Sequence, residues 1–264
     1  MGSMLRTRVI SAVVGVPLLL YILYRGGLYW QGLFILIGII GLNEYQRMMA
    51  QGGYKPLVTP SYLLLLTAMY LKMYPDWLEP GIFVILAISA AYMILRFPQV
   101  KFADLALSMF APLYLGFLLS YAIRMVEFKM AFPIVLLAFL LTWSSDIGGY
   151  FAGRFWGKHK LAPVLSPAKT CEGAVGATLL PVIIALIFFQ IVNMDAVNTA
   201  YVLLLGIIAG LLAQFGDLFE SGLKRCFGVK DSGKLIPGHG GVLDRFDSFM
   251  FVIPWVYYFF TYWG

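Results

Sequence analysis

Nine apolar runs divide the sequence, near residues 9–24, 28–43, 60–74, 81–95, 104–123, 130–149, 174–192, 199–216 and 247–263. Each is continuous rather than alternating, and most approach the roughly 20 residues that a helix needs to cross a bilayer. A soluble domain cannot hide them. Of 264 residues 61% are hydrophobic and only 12% charged, whereas charged residues make up about a quarter of a soluble domain. The excess must face lipid. Hydrocarbon offers the backbone no partner outside its own segment, so each run is expected to be a helix. A β-barrel would need short alternating segments, which are missing here. The sequence predicts an all-α fold: a polytopic integral membrane protein with about nine transmembrane helices. The third run is the weakest, being short and carrying Lys72, which leaves eight spans open.

The opening "MGSM" reads as a remnant ahead of a natural start at Met4. The stretch after it lacks a small-residue cleavage site and is expected to stay as the first span. Placing the N-terminus in the cytoplasm and alternating sides puts fifteen of nineteen basic residues inside, and leaves Arg25, Lys72, Arg124 and Lys129 outside. That bias predicts nine spans, an external C-terminus and a cell (inner) membrane protein with a basic cytoplasmic face. The net charge of +6 then describes either the topology signal with its attraction for anionic headgroups, or a site for a polyanion. Cys171 and Cys226 fall on the reducing side and fit no zinc pattern, so free thiols are expected.

Residues 1–130 read as about five spans joined by short turns, and residues 131–264 as a catalytic region of about four spans with two cytoplasmic motif loops and no separate soluble domain. In the first part Glu44 stands three residues before Arg47, spacing that predicts an interfacial ion pair, with a substrate role as the alternative. Eight of thirteen acidic residues follow position 145, and all but the external Asp195 fall in the two loops.

The first loop is "WSSDIGGYFAGRFWGKHKLAPVLSPAKTCEGAVGA". Asp146 ends an apolar run, where a carboxylate is costly and marks a functional or paired group. Gly148, Gly149 and Gly153 permit close backbone approach, and Arg154 is the nearest cation. In "SPAKTCEG" Ser166 is a plausible N-cap, Pro167 suits the first helical position and Glu172 comes early in the helix. Lys169 is then a cation at a helix N-terminus, which the macrodipole disfavours unless an anion binds there. His159 reads as a plain loop residue.

The second loop, "FGDLFESGLKRCFGVKDSGKLIPGHGGVLDRFD", is denser. Asp217, Glu220 or Ser221, and Lys224 share a helical face by their spacing. Asp244 and Asp247 are again three apart at the start of the last run. The sequence predicts that Asp217, Asp244 and Asp247 meet at one membrane depth, where carboxylates repel one another unless a cation joins them. Oxygen ligands beside phosphates suit Mg²⁺, the expected cofactor, with a second cation left open. Lys224, Arg225, Lys230, Lys234, His239 and Arg245 supply positive charge. His239 is expected as a hydrogen-bond donor, and Gly240 and Gly241 as backbone donors to phosphate oxygens. Metal-holding acids, phosphate-holding bases and a glycine loop point to phosphoryl or nucleotidyl transfer.

The run from Ser221 to Asp247 resembles the signature of the phosphatidate cytidylyltransferases, also called CDP-diacylglycerol synthases. Ser221, Lys224, Arg225, Lys230, Asp231, His239, Gly240, Gly241, Asp244, Arg245 and Asp247 match its pattern. Lys169, Thr170 and Glu172 resemble its Ser-Pro-x-Lys-Thr-x-Glu-Gly element; Cys171 departs from the aromatic residue often found there. The resemblance implies catalytic roles for Lys169, Ser221, Lys224, Arg225, Lys230, Asp231, His239 and Arg245. It implies substrate contacts from Asp146, Arg154, Ser166, Thr170, Glu172, Gly240 and Gly241. The implied partners are CTP, phosphatidate and the lipid bilayer, with no nucleic acid and a homodimer left open. A lipid phosphate, with a second pKa near 6, is already largely ionised at pH 7 and needs no strong base.

Three rivals compete. The Asp-Gly-x-x-Ala-Arg pattern of the CDP-alcohol phosphotransferases is missing. A CTP-dependent lipid kinase is the closer enzymatic alternative. A transporter would place its acids near mid-membrane in several helices, whereas here they cluster at helix ends beside basic loops.

Overall fold

The structure is a computed structural model, which describes residues 2–194, 197–238 and 240–264; among the first twelve side chains it describes those of Arg6, Val9 and Ser11. Of the expected groups, His239, Asp195 and the side chain of Arg8 lie outside the described residues.

Nine helices, counted among the described residues, stand where the nine apolar runs predict them. They are α1 (Gly2–Arg25), α2 (Gly27–Gln51), α3 (Val58–Tyr70), α4 (Pro75–Leu95), α5 (Phe102–Arg124), α6 (Ala131–Trp156), α7 (Cys171–Ile191), α8 (Thr199–Cys226) and α9 (Leu243–Tyr262). Between α6 and α7 two short strands, β1 (Lys160–Ala162) and β2 (Ser166–Thr170), pair antiparallel. The chain is thus an all-α membrane protein with one small hairpin. Six helices are long and apolar enough to cross a bilayer: α2, α4, α5 with the turn that follows it, α6, α7 and α8. Nine crossings are not reached by that measure. The thirteen residues of α3 rise about 20 Å at 1.5 Å per residue, short of the roughly 30 Å hydrocarbon core. The apolar described part of α1 is Val13–Arg25, and α9 opens on Asp244, Arg245 and Asp247 and ends rich in tyrosine. Lys72 falls past the end of α3, where its ammonium reaches the Tyr121 hydroxyl at 2.6 Å and lies 4.3 Å from the ring centre, a snorkelling cation at a helix end.

Two compact units form. Unit 1 holds Met1–Arg124 and Lys224–Asp244; unit 2 holds Met125–Leu223 and Arg245–Gly264.

In unit 1, α3 packs against α5 through Gly116, where an added Cβ would come within 2.9 Å of the Leu65 carbonyl oxygen. The buried Trp30 donates from Nε1 to the Ala122 carbonyl at 2.7 Å. The buried Asp104 accepts from the backbone N–H groups of Lys55 and Lys101 at 2.8 and 2.7 Å, which pins the turn between α2 and α3. Phe227, just beyond α8, packs edge-on against Tyr45 of α2. This ties the 224–244 segment to the N-terminal helices.

Unit 2 is assembled on small residues. Association in lipid gains nothing from excluding water between apolar faces, so close backbone approach must supply the attraction. On α6 and α7 a Cβ at Gly148 would collide with the Gly176 carbonyl, and one at Gly176 would collide with Ala152. Gly210 of α8 lies so close to α7 that a Cβ would come within 2.7 Å of the Ala177 carbonyl oxygen. Gly216 meets α9 in the same way, 2.6 Å from the Asp247 carbonyl oxygen. These contacts bring the polar ends of α6, β2, α8 and α9 together. Gly176→Val is expected to cost about 3 kcal/mol, the upper end for overpacking, because the obstacles, the Ala152 Cβ and the Gly148 carbonyl, cannot turn aside. Gly32→Ala, with open space around it, is expected to change stability by less than about 0.5 kcal/mol. Thermal unfolding in detergent compares them; equal midpoints would refute the close-packing account.

Candidate active site

Unit 2 contains a cavity of about 400 Å³ lined by Asp146 and Arg154 of α6, Lys169 and Thr170 of β2, Gly173 of α7 and Asp217 of α8, among others. Lys169 is the central cation: its ammonium lies 2.6 Å from Asp217 Oδ2, with side chains 24% and 35% exposed. Within the protein, the carboxylate opposite Lys169 is Asp217. Ser221 Oγ approaches the other oxygen of Asp217 at 3.5 Å, one turn along α8, whereas Glu220 faces the interior and is 2% exposed. Asp146 is exposed at the cavity, and the charges that act on it are Asp247, Asp217, Lys169 and Arg245. Asp247 accepts from the N–H of Ser248 at 2.6 Å.

The local folding that presents Lys169 differs from the expectation. Ser166 is not an N-cap and Pro167 does not start a helix: residues 166–170 are β2, and Thr170 is the cap. Thr170 has extended dihedrals and accepts from the Gly173 N–H through its hydroxyl at 3.1 Å. Strand pairing with β1 is long-range information that the Ser-Pro signal does not carry. Lys169 consequently precedes α7 and is held by a strand. Glu172 accepts from the backbone N–H groups of Lys158 and His159, at 3.0 and 3.3 Å, and lies 2.7 Å from His159 Nδ1. His159 is thus more than a plain loop residue, since it closes this turn. Arg154 donates to the Tyr150 hydroxyl at 2.6 Å. Cys171 and Cys226 are free thiols, as expected.

Unit 1 holds the part of the signature from Lys224 to Asp244. Lys224 at the end of α8 donates to Asp244 Oδ1 at 2.7 Å, in a pair whose side chains are 12% and 8% exposed. Asp244 Oδ2 accepts from the Ser232 N–H, the Ser232 hydroxyl and the Gly241 N–H, at 3.0, 2.9 and 2.9 Å. Burial alone would raise the Asp244 carboxyl pKa, but these donors outweigh it and hold the group below its ordinary value. Gly241 was expected to offer its N–H to phosphate; in this structure it is used inside the loop. Gly240 adopts φ +87°, a left-handed conformation suited to glycine, and its carbonyl accepts from Ile236. Arg225 donates to the Val229 carbonyl at 3.2 Å. Lys230, Asp231 and Lys234 in unit 1, and Arg245 in unit 2, are exposed.

Sequence reasoning missed one residue. Glu44 of α2 is 5% exposed, while Arg47 lies on the exposed side of the helix. The interfacial pair expected of them gives way to three bonds from Glu44 into the 232–243 segment. The available signal was a carboxylate inside an apolar helix; its partners lie almost two hundred residues away.

No group of three or more His, Cys, Asp or Glu side chains forms a ready metal cage among the described residues. Mg²⁺ does not require one, since it takes one or two carboxylates together with water and substrate phosphate. Asp146 and Asp217 line the cavity in unit 2 and offer oxygen ligands of the kind that demand calls for. Asp244, already accepting four donors, fits it less well.

The sequence pattern described as the Cytidylyltransferase family matches residues 6–263. The chain is similar to proteins named phosphatidate cytidylyltransferase from three staphylococci. It is 36% identical to that of Staphylococcus epidermidis over 259 residues, covering 95% of this chain and 96% of the relative. With Staphylococcus haemolyticus the identity is 37% over the same shares. With Staphylococcus aureus strain COL it is 36% over 260 residues, again 95% and 96%.

Proposed function

The chain belongs to the cytidylyltransferase family, and on that premise we propose that it is a phosphatidate cytidylyltransferase: CTP and phosphatidate give CDP-diacylglycerol and pyrophosphate at the cytoplasmic face of the cell membrane. The observation that carries this reading is the cavity in unit 2, where Lys169 of β2 pairs with Asp217 of α8 and Asp146 of α6 shares the lining.

In the reaction an ionised oxygen of the lipid phosphate attacks the α-phosphorus of CTP. The new O–P bond forms as the bond from that phosphorus to the β-phosphate oxygen breaks, and pyrophosphate leaves. The nucleophile arrives without its proton, so the protein's task is to align two polyanions and offset their repulsion. Lys169 is placed to do this, being ammonium-charged at the cavity and held by Asp217. Arg154 adds a second cation beside it. The catalytic roles of Ser221, Lys224, Arg225, Lys230, Asp231, His239 and Arg245, and the substrate contacts of Ser166, Thr170, Glu172, Gly240 and Gly241, enter through the family pattern. Asp217 and Asp247, with Asp146 beside them, would hold Mg²⁺, which supplies charge neutralisation at the phosphates. Asp244 enters as the residue that holds Lys224.

CTP labelled separately at its α and γ phosphates tests the reading in purified protein with phosphatidate. The α label is expected in the lipid and the γ label in pyrophosphate. Finding γ label in the lipid would make the protein a CTP-dependent lipid kinase instead.

A further inference from the structure

Glu44 lies far in sequence from every signature residue, yet its carboxylate is bonded into the signature segment. Oε1 accepts from the Val242 N–H at 2.9 Å, and Oε2 accepts from the Leu243 N–H at 2.9 Å. These N–H groups belong to the start of α9, where helical donors have no partner of their own and a negative charge is favoured. Oε2 also lies 3.1 Å from the Ser232 hydroxyl, which in turn is 2.9 Å from Asp244 Oδ2. All of these residues belong to unit 1.

The surrounding packing is shaped for this carboxylate. A Cβ at Gly233 would come within 2.5 Å of Glu44 Oε1, and one at Gly241 within 2.5 Å of Oε2. Two glycines of the loop thus leave room for a glutamate on α2. Gly41, one turn before Glu44, gives the same clearance to Leu243. Val242, Leu243, Ser232 and Glu44 itself are all at most 7% exposed. A buried carboxylate is costly unless fully hydrogen-bonded, so the arrangement is strongly specified.

We propose that Glu44 is a positioning residue for the transfer reaction. It fixes the start of α9 and Ser232, and through Ser232 it sets Asp244, which holds Lys224 in place. The chain runs Glu44, Ser232, Asp244, Lys224, and Glu44 touches no substrate. Ser232 has one hydroxyl hydrogen and faces two carboxylates, so it can donate to only one of them at a time. Donated to Glu44, that hydrogen ties Ser232 to α2, while the Ser232 N–H still reaches Asp244 Oδ2 at 3.0 Å. The role in turnover rests on the cytidylyltransferase reading; the holding of the loop does not.

Glu44→Gln keeps the shape and turns an acceptor into a donor that opposes one of the α9 N–H groups. Two measurements on the folded, monodisperse variant decide the matter. Trypsin cleavage after the exposed Lys230 and Lys234 is expected to speed up by about tenfold or more as the loop opens. Turnover per folded molecule is expected to fall by about tenfold, with KM for CTP moved by less than about threefold, the pattern for a lost alignment. Glu44→Asp, which keeps the charge, is expected to recover part of both losses. Ser232→Ala removes only the linking hydroxyl and provides the same readouts if Glu44→Gln does not fold. Wild-type turnover in Glu44→Gln would overturn the proposal. So would lost turnover with unchanged loop cleavage, because the loop would then not be what Glu44 holds. If the unaltered protein transferred no cytidylyl group, the functional reading would fail alone, and the cleavage comparison would still decide whether Glu44 holds the loop.

Discussion

Asp217→Asn is expected to purify and unfold like the unaltered protein while transferring cytidylyl groups about 10²–10³ times more slowly, the usual cost of losing one group that stabilises developing charge. Stability should be little affected. The Lys169–Asp217 pair is about a quarter to a third exposed, and pairs of that exposure contribute about 0–1 kcal/mol. Turnover should suffer because Asp217 lines the cavity, anchors Lys169 and is one of the two carboxylates proposed to hold Mg²⁺. Rates measured across a Mg²⁺ titration separate these effects: a lost ligand raises the Mg²⁺ concentration needed, whereas a displaced Lys169 lowers the plateau. Near-normal rates at every Mg²⁺ concentration would remove Asp217 from the site.

Asp244→Asn should behave in the opposite way, with a large loss of stability as well as activity. Lys224 and Asp244 are almost fully enclosed. Removing one partner of such a pair leaves an uncompensated charge, at about 3–5 kcal/mol. Asparagine would also turn an NH₂ group toward donors that now have an acceptor. A Lys224→Met, Asp244→Leu double variant is expected to regain only part of that stability, because neither charge is then left alone but the Ser232 and Gly241 donors lose their acceptor, and to remain inactive. The pH dependence follows from the depressed carboxyl. Its stabilisation is fully present above the ordinary Asp value of about 3.9 and is lost as pH falls through the lower folded value. Unfolding midpoints measured from neutral pH down into that window should decline in the unaltered protein and lack this component in the double variant. A single Asp244→Asn variant as stable as the parent would show that the pair does not hold the loop.

Gly148 and Gly176 illustrate what becomes legible only in three dimensions. Gly148 allows close approach by its residue type alone, but its spacing does not say to what; the answer is Gly176 of α7. Ser166 shows how a local rule fails. Ser-Pro followed by an acidic residue is sound helix-start chemistry, yet pairing with β1 claims those residues and moves the cap to Thr170.

The sequence by itself determined the membrane class, the positions of the nine helices found among the described residues and the two polar segments that carry the candidate site residues. Apolar run length and i,i+3 spacing are local properties, and lipid enforces them by leaving the backbone no alternative to the helix. Only the tertiary structure decided the company each polar group keeps. Lys169 meets Asp217 across forty-eight residues, and Glu44 meets Leu243 across 199. Such pairings depend on which helix faces can approach, a matter of glycine packing and buried hydrogen-bond demand that no periodicity within one helix records.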